Sequence, residues 1–193
     1  MSKRETKKDH ILCYGIDVMK THGYNGTSVK DIVDAASVPK GSFYNYFESK
    51  EAFAVEALEK VADESLTASQ AILENTDVTP LERLQNFFSS GANDACDADF
   101  KVGCFIGNIG QEMSDNNETI RNKVRQILKR NTLLISSVLE EAKHQGQLAP
   151  EADTTLMAEF IFNAWEGALM RMKASRCRAS LEAFLEMLPH IIR

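Results

Sequence analysis

"VPKGSFYNYFESKE", residues 38–51, sets four aromatic rings among two lysines, two carboxylates and a glycine. Phe43, Tyr44, Tyr46 and Phe47 are more rings than one short amphipathic stripe buries. Phe43 and Phe47 lie four residues apart, so on a helix they share one face and point to the core. Tyr44 and Tyr46 are then left outside with Lys40, Ser42 and Asn45, and Gly41 has no side chain to hold another backbone away. Tyrosine hydroxyls and an ammonium reach phosphates, while serine and asparagine read base edges. An isolated surface tyrosine ordinarily packs on a neighbour. The combination at this spacing points instead at DNA.

The flanking segments place that helix in a motif. Val29, Ile32, Val33 and Ala36 recur at i, i+3, i+4 and i+7, a short helix opened by Thr27 as N-cap or by a Ser28/Asp31 capping box. Pro39 ends it and begins a third helix over 39–46. A longer first helix runs over 5–22, with Leu12, Ile16 and Met19 on one face and Gly23 as its stop. Two short helices joined by a tight turn after a longer one make a helix-turn-helix whose third helix is the reader. Ser49 caps a fourth helix over 50–73. The helical period then continues over about 80–95, 103–113, a helix boxed by Asp115 and Glu118 and ending at Gly146, then 154–175 and 179–191. No stretch sustains a period of two. The fold class is all-α with about nine helices: a helix-turn-helix domain over 1–48 and a larger helical domain over 49–193.

Charge follows the same division. The chain of 193 residues carries a net −6, yet residues 1–50 hold eight Lys/Arg against six Asp/Glu, and the remainder 14 against 22. A mildly basic head on an acidic body lets one end approach a polyanion. No apolar run reaches the roughly 18 residues of a membrane span, and "MSKRETKKDH" does not open a signal peptide, so the expected location is the cytoplasm. Cys13, Cys96, Cys104 and Cys177 are scattered without CxxC or a histidine pair, which gives no zinc pattern and suits free thiols in a reducing compartment. No nucleotide or metalloprotease motif appears, and no cofactor is expected.

"TSVKDIVDAASVPKGSFYNYFESKEAF", residues 27–53, resembles the DNA-binding signature of the tetracycline-repressor (TetR) family of transcriptional regulators, and the likeness extends over about 9–58. "VPKGSFYNYF" and the later "GCFIGN" are most similar to the branch containing the N-ethylmaleimide-responsive repressor. The resemblance implies a dimeric repressor on a palindromic operator, with effector binding and dimerisation in residues 49–193. It implies that Thr27 contacts a phosphate through its hydroxyl and backbone N–H. Lys40, Gly41, Ser42 and Asn45 would meet the major groove, Tyr44 and Tyr46 the backbone, and Lys50 a further phosphate. Ser37 stands where the family's turn usually has glycine, which implies a left-handed residue strained by about 1 kcal/mol or an altered turn.

Within the acidic body, Met157, Phe160, Ile161, Ala164, Trp165, Ala168, Leu169 and Met172 form a broad apolar arc on helix eight, and Leu181, Phe184, Leu185, Leu188 and Ile192 one on helix nine. Arcs this wide allow a four-helix interface between two copies, or an ordinary core. Helix six carries a side-chain-free stripe at Gly103, Gly107 and Gly110, beside Cys104, Asn108 and Gln111 at the same spacing. A soft helix offering a thiol and two amides is a candidate effector or sensing element. Asn131, on the stripe Ile127, Leu128, Ile135 and Val138, and Trp165 are the other candidate effector contacts. The position of Cys104 at a helix start, three residues after Lys101, favours a thiolate. A small helical thiol enzyme using Cys104 as nucleophile is the alternative from another class, and it needs a nearby base.

Overall fold

The computed structural model describes residues 3–192. Among them nine α-helices follow one another: α1 (Lys3–His22), α2 (Val29–Ala35), α3 (Lys40–Tyr44), α4 (Lys50–Leu73), α5 (Pro80–Asp97), α6 (Phe105–Met113), α7 (Glu118–His144), α8 (Thr154–Ser175) and α9 (Ala179–Ile191). They fall into two compact units that interleave along the chain. The first holds the residues up to Ala62 together with Phe105–Gln126; the second holds Asp63–Cys104 and the residues from Ile127 onward. The motif alone predicts a division at residue 48. Packing places the first part of α4, Lys50–Ala62, and the whole of α6 with the N-terminal helices, and so draws it differently.

In the first unit the chain ends its helices with local chemistry. Gly23 closes α1 at φ +74°. Ser28, rather than Thr27, is the N-cap of α2: its side chain accepts from the N–H of Asp31, whose carboxylate accepts from the N–H of Ser28. Hydrogen bonds to the Ser28 hydroxyl and N–H hold the Asp31 carboxyl below its ordinary pKa. The core is built on Ile11, Ile16, Met19, Ile32, Val33, Phe43, Phe47, Phe53 and Leu58, all at least nineteen-twentieths buried. The ring of Phe53 on α4 lies 5.7 Å from that of Phe43 and 5.0 Å from that of Phe47. Gly15 on α1 makes room for it, since a Cβ there would stand 2.4 Å from Phe53 Cζ and 2.8 Å from Ile32 Cγ2. Ion pairs Lys8–Glu56 (2.6 Å) and Lys60–Asp9 (3.0 Å) join α1 to α4 at the surface. On α6 and α7, a Cβ on Gly110 would meet Val124 Cγ1 at 3.0 Å, so this glycine of the expected stripe serves close packing.

The second unit surrounds an aromatic trio. Phe88 on α5, Trp165 on α8 and Phe184 on α9 have ring centroids 4.9–5.2 Å apart, and Gly91 lets the indole approach α5, where a Cβ would stand 3.0 Å from Trp165 Cζ2. Leu84, Ile135, Leu139, Ile161, Met172, Leu181 and Leu188 complete the core. Arg83 is buried there, donating to Leu73 O (2.8 Å) and pairing with Glu141 (2.6 Å). Thr79 and Glu82 box the start of α5, whose Pro80 takes the first helical position.

Two expected boundaries shift. α6 begins at Phe105, so Gly103 and Cys104 precede it. α7 is capped by Asn117, whose Oδ1 accepts from Ile120 N–H at 2.9 Å, in place of Asp115.

The fit at Gly15 is a direct test of the first unit. Gly15→Ala gains helix propensity but forces the Phe53 ring and Ile32 apart, so it should lower stability by about 1–3 kcal/mol. Urea unfolding of the two proteins measures this; a Gly15→Ala variant as stable as the parent contradicts the packing described.

Candidate nucleic-acid interface

The surface offered by α3 is produced by two inward rings, Phe43 on the helix and Phe47 just after it. Phe43 is 0% and Phe47 1% exposed, against 54% for Tyr44. Lys40, Gly41 and Asn45 are also exposed, and Ser42 and Tyr46 are partly so. Gly41 faces open space, where an added Cβ would meet nothing within 4 Å. The Tyr44 ring meets that of Phe43 edge-to-face at 5.3 Å. Beneath, His10 Nε2 lies 2.9 Å from Ala36 O and ties α1 to the end of α2.

The turn between α2 and α3 is a Schellman motif. Val38 N–H donates to Val33 O (3.0 Å) and Ser37 N–H to Asp34 O (3.1 Å). Ser37 takes the left-handed position at φ +54°. The first of the two expectations for this serine is therefore what the chain does. Pro39 follows with an extended backbone and caps α3.

Two residues expected on phosphates are turned inward. Thr27 is 1% exposed; its hydroxyl donates to Gly23 O at 2.7 Å and its N–H to Tyr24 O at 3.3 Å. Lys50 donates to Tyr24 O (3.0 Å) and Thr27 O (2.9 Å), and its ammonium lies 4.1 Å from the centre of the Tyr24 ring. Burial pushes the Lys50 pKa down, against the attraction of Glu112. Both side chains hold the α1–α2 turn. The outward row is thus Lys40, Gly41, Ser42, Tyr44, Asn45 and Tyr46, with a Lys30–Asp34 ion pair on the exposed face of α2.

The residues considered for effector sensing are divided between the units. Asn108, half-buried, and Gln111, exposed, lie on α6 in the first. Cys104, Asn131 and Trp165 lie in the second. Trp165 is 8% exposed and belongs to the aromatic core, while Asn131 is half-buried. Cys104 is half-buried and hydrogen-bonds the carboxyl of Glu166 on α8; burial raises the Glu166 pKa and the bond opposes it. Lys101, expected to act on that thiol, pairs with Asp99 at 2.7 Å and is exposed. The loop between carries left-handed Asp99 and Phe100, and Phe100 O accepts from the Arg176 guanidinium at 3.1 Å. Glu166 was not foreseen: it lies 62 residues after Cys104, and a glutamate on a helix face carries no local signal.

The family model described as "Bacterial regulatory proteins, tetR family" matches residues 11–57, and "Tetracyclin repressor-like, C-terminal domain" matches residues 80–188. The chain is 35% identical to the HTH-type transcriptional repressor DhaR of Mycobacterium sp. strain GP1, over 94% of this chain and 90% of that protein. Its structure is similar to the crystal structure of the regulatory protein TetR from Rhodobacter sphaeroides, with a TM-score of 0.90, 27% identity and coverage of 96% and 98% of the two chains. It is likewise similar to the crystal structure of E. coli NemR in its reduced form, with a TM-score of 0.88, 26% identity and 97% of each chain covered.

The left-handed serine yields a stability test. Ser37→Gly removes the Cβ strain of about 1–2 kcal/mol and returns part of it as unfolded-chain entropy, so a net gain of about 0.5–1 kcal/mol is expected. Chemical denaturation reads it, and a loss of stability would contradict the turn geometry.

Proposed function

Because the chain belongs to the tetR family of bacterial regulatory proteins, we propose that it is a transcriptional repressor. In this reading it holds a palindromic operator as a two-fold dimer in the cytoplasm and releases it when an effector or a thiol-modifying agent acts. The observation that carries the reading is the outward row at α3. A hydroxyl, an amide, an ammonium and two phenols stand outward on this five-residue helix and the two residues after it, over a face that is fully buried. One such helix reads few bases, so a second copy is needed for specificity. The curated relatives at this similarity are named as regulators and repressors, and none of them supports the thiol-enzyme alternative.

The dimer face we assign to α8 and α9. Leu156, Phe160 and Met170 on α8 and Met187 on α9 are 55–66% exposed. On α8 those three, with Asn163 and Gly167 between them, follow one helical face. An apolar strip this long is covered by another surface in soluble proteins. Trp165 and Leu188 sit in the core instead, so a charge at either would unfold the unit and say nothing about association.

Release we assign to the second unit, around Cys104. The Glu166 carboxylate accepts from the thiol and can take its proton as the sulfur attacks an electrophile. The crystal structure of E. coli NemR is of its reduced form, in keeping with this assignment. Cys104 is followed directly by α6, which belongs to the same unit as the DNA-binding helices, so in this reading an adduct on the sulfur acts on that unit through α6.

Duplexes selected from random sequence should share a two-fold motif. On the selected duplex Lys40→Ala should reduce the salt slope of binding by about 1, while Lys50→Ala should weaken binding with the slope unchanged. Asn45→Ala should relax base preference, and a panel of operator variants bound in the parental order would count against groove reading. Phe160→Glu should sediment as a folded monomer with weak operator binding; a persisting dimer moves the interface elsewhere. Hypochlorite or N-ethylmaleimide should release DNA from the parent and not from Cys104→Ser. Equal release from both leaves a reversible ligand as the effector.

A further inference from the structure

The turn between α1 and α2 is clamped by charged side chains from distant parts of the first unit. Glu112, in the last turn of α6, accepts from Tyr24 N–H through Oε1 at 3.1 Å and from Asn25 N–H through Oε2 at 2.8 Å. Each oxygen takes one amide. Gly23 lies against the same carboxylate: at φ +74° it favours glycine already, and a Cβ there would stand 2.3 Å from Glu112 Oε1. The turn's carbonyls are held by the opposite charge. Lys50 bonds Tyr24 O and Thr27 O, and the Thr27 hydroxyl bonds Gly23 O. A carboxylate on the N–H side and an ammonium on the C=O side therefore fix the same short turn.

The next residue after this turn is Ser28, the N-cap of α2. The turn sets the direction in which α2 leaves α1, and α3 follows α2 through the Ser37 turn. The hydrophobic contacts of Ile32, Val33, Phe43 and Phe47 bury the two helices. Hydrogen bonds to backbone groups at the point of entry add a directional constraint, and placement to about 0.5 Å decides whether base contacts form.

We propose that Glu112 is a positioning residue for DNA recognition, its carboxylate fixing the α1–α2 turn and through it the aim of the outward row on α3. The proposal rests on the DNA-binding reading above. It assigns to α6 a part in operator affinity that its own sequence, FIGNIGQEM, does not suggest.

The test uses the whole chain and the duplex selected by the parent. Glu112→Ala and Glu112→Gln are compared with the parent by amide hydrogen exchange, urea unfolding and operator affinity. Exchange at Tyr24 and Asn25 should accelerate about tenfold or more in Glu112→Ala, with the core amides of α1 and α4 unchanged. Affinity should fall by about tenfold, and Glu112→Gln, which keeps one acceptor, should fall between. Gly23→Ala, which drives the carboxylate away from the other side, should weaken binding as well. Combined with Glu112→Ala it should weaken binding by less than the product of the two effects. Unchanged exchange at the two amides overturns the clamp. Accelerated exchange with parental affinity overturns its role in recognition, as does a loss of affinity that only tracks global stability. A parent that selects no duplex overturns the DNA-binding reading and this inference together; a parent that selects one, matched by Glu112→Ala, overturns this inference alone.

Discussion

The ring of Phe53 fills the space that a side chain at residue 15 would need. That exclusion sets how closely α1 and α4 approach, and the rest of the first unit is arranged around it. Phe43 and Phe47 pack on the same ring, each pair adding about 0.5–1.5 kcal/mol beyond the area it buries. With both phenylalanines drawn inward, a five-residue helix has no other use for its remaining side chains than the solvent side. Tyr44 is outside because Phe43 is inside. The chemistry available for a polyanion is thus a by-product of aromatic packing one layer below.

The separation of inside from outside is just as sharp on α8. Trp165 closes a core with Phe88 and Phe184, while Phe160, five residues earlier on the same helix, is 57% exposed. Periodicity shows that such a helix has a broad apolar arc. It does not divide the arc between a core and a surface awaiting a second copy, because both are apolar. The division depends on where α5 and α9 lie, and only their packing against α8 determines that.

Local signals were legible. The order of nine helices, the stops at Gly23 and Gly146 and the Pro39 break follow from chemistry within a few positions of the chain, while the left-handed Ser37 was one of two outcomes implied by the family resemblance. Long-range pairings were not. Thr27 and Lys50 have the side chains of phosphate ligands, but a hydroxyl and an ammonium bond a backbone carbonyl as readily, and the turn offers three. Glu112 reaches Tyr24 across 88 positions, and Cys104, in the loop before α6, reaches Glu166 on α8. The grouping of α6 with the N-terminal helices was not legible for the same reason: it rests on contacts that no spacing encodes.

The interleaving of the two units bears on how such a protein can be dissected. A head cut at residue 48 would lack Phe53, Lys50 and Glu112, and with them the floor under α3 and the bonds to four backbone groups of the first turn. Grafting DNA specificity between members of this fold therefore calls for moving two stretches of chain, not one. The second stretch, 105–126, begins one residue beyond the half-buried thiol of Cys104. A chimera that exchanges both stretches has three seams, after Ala62, before Phe105 and after Gln126, and the middle one leaves Cys104 on the retained side.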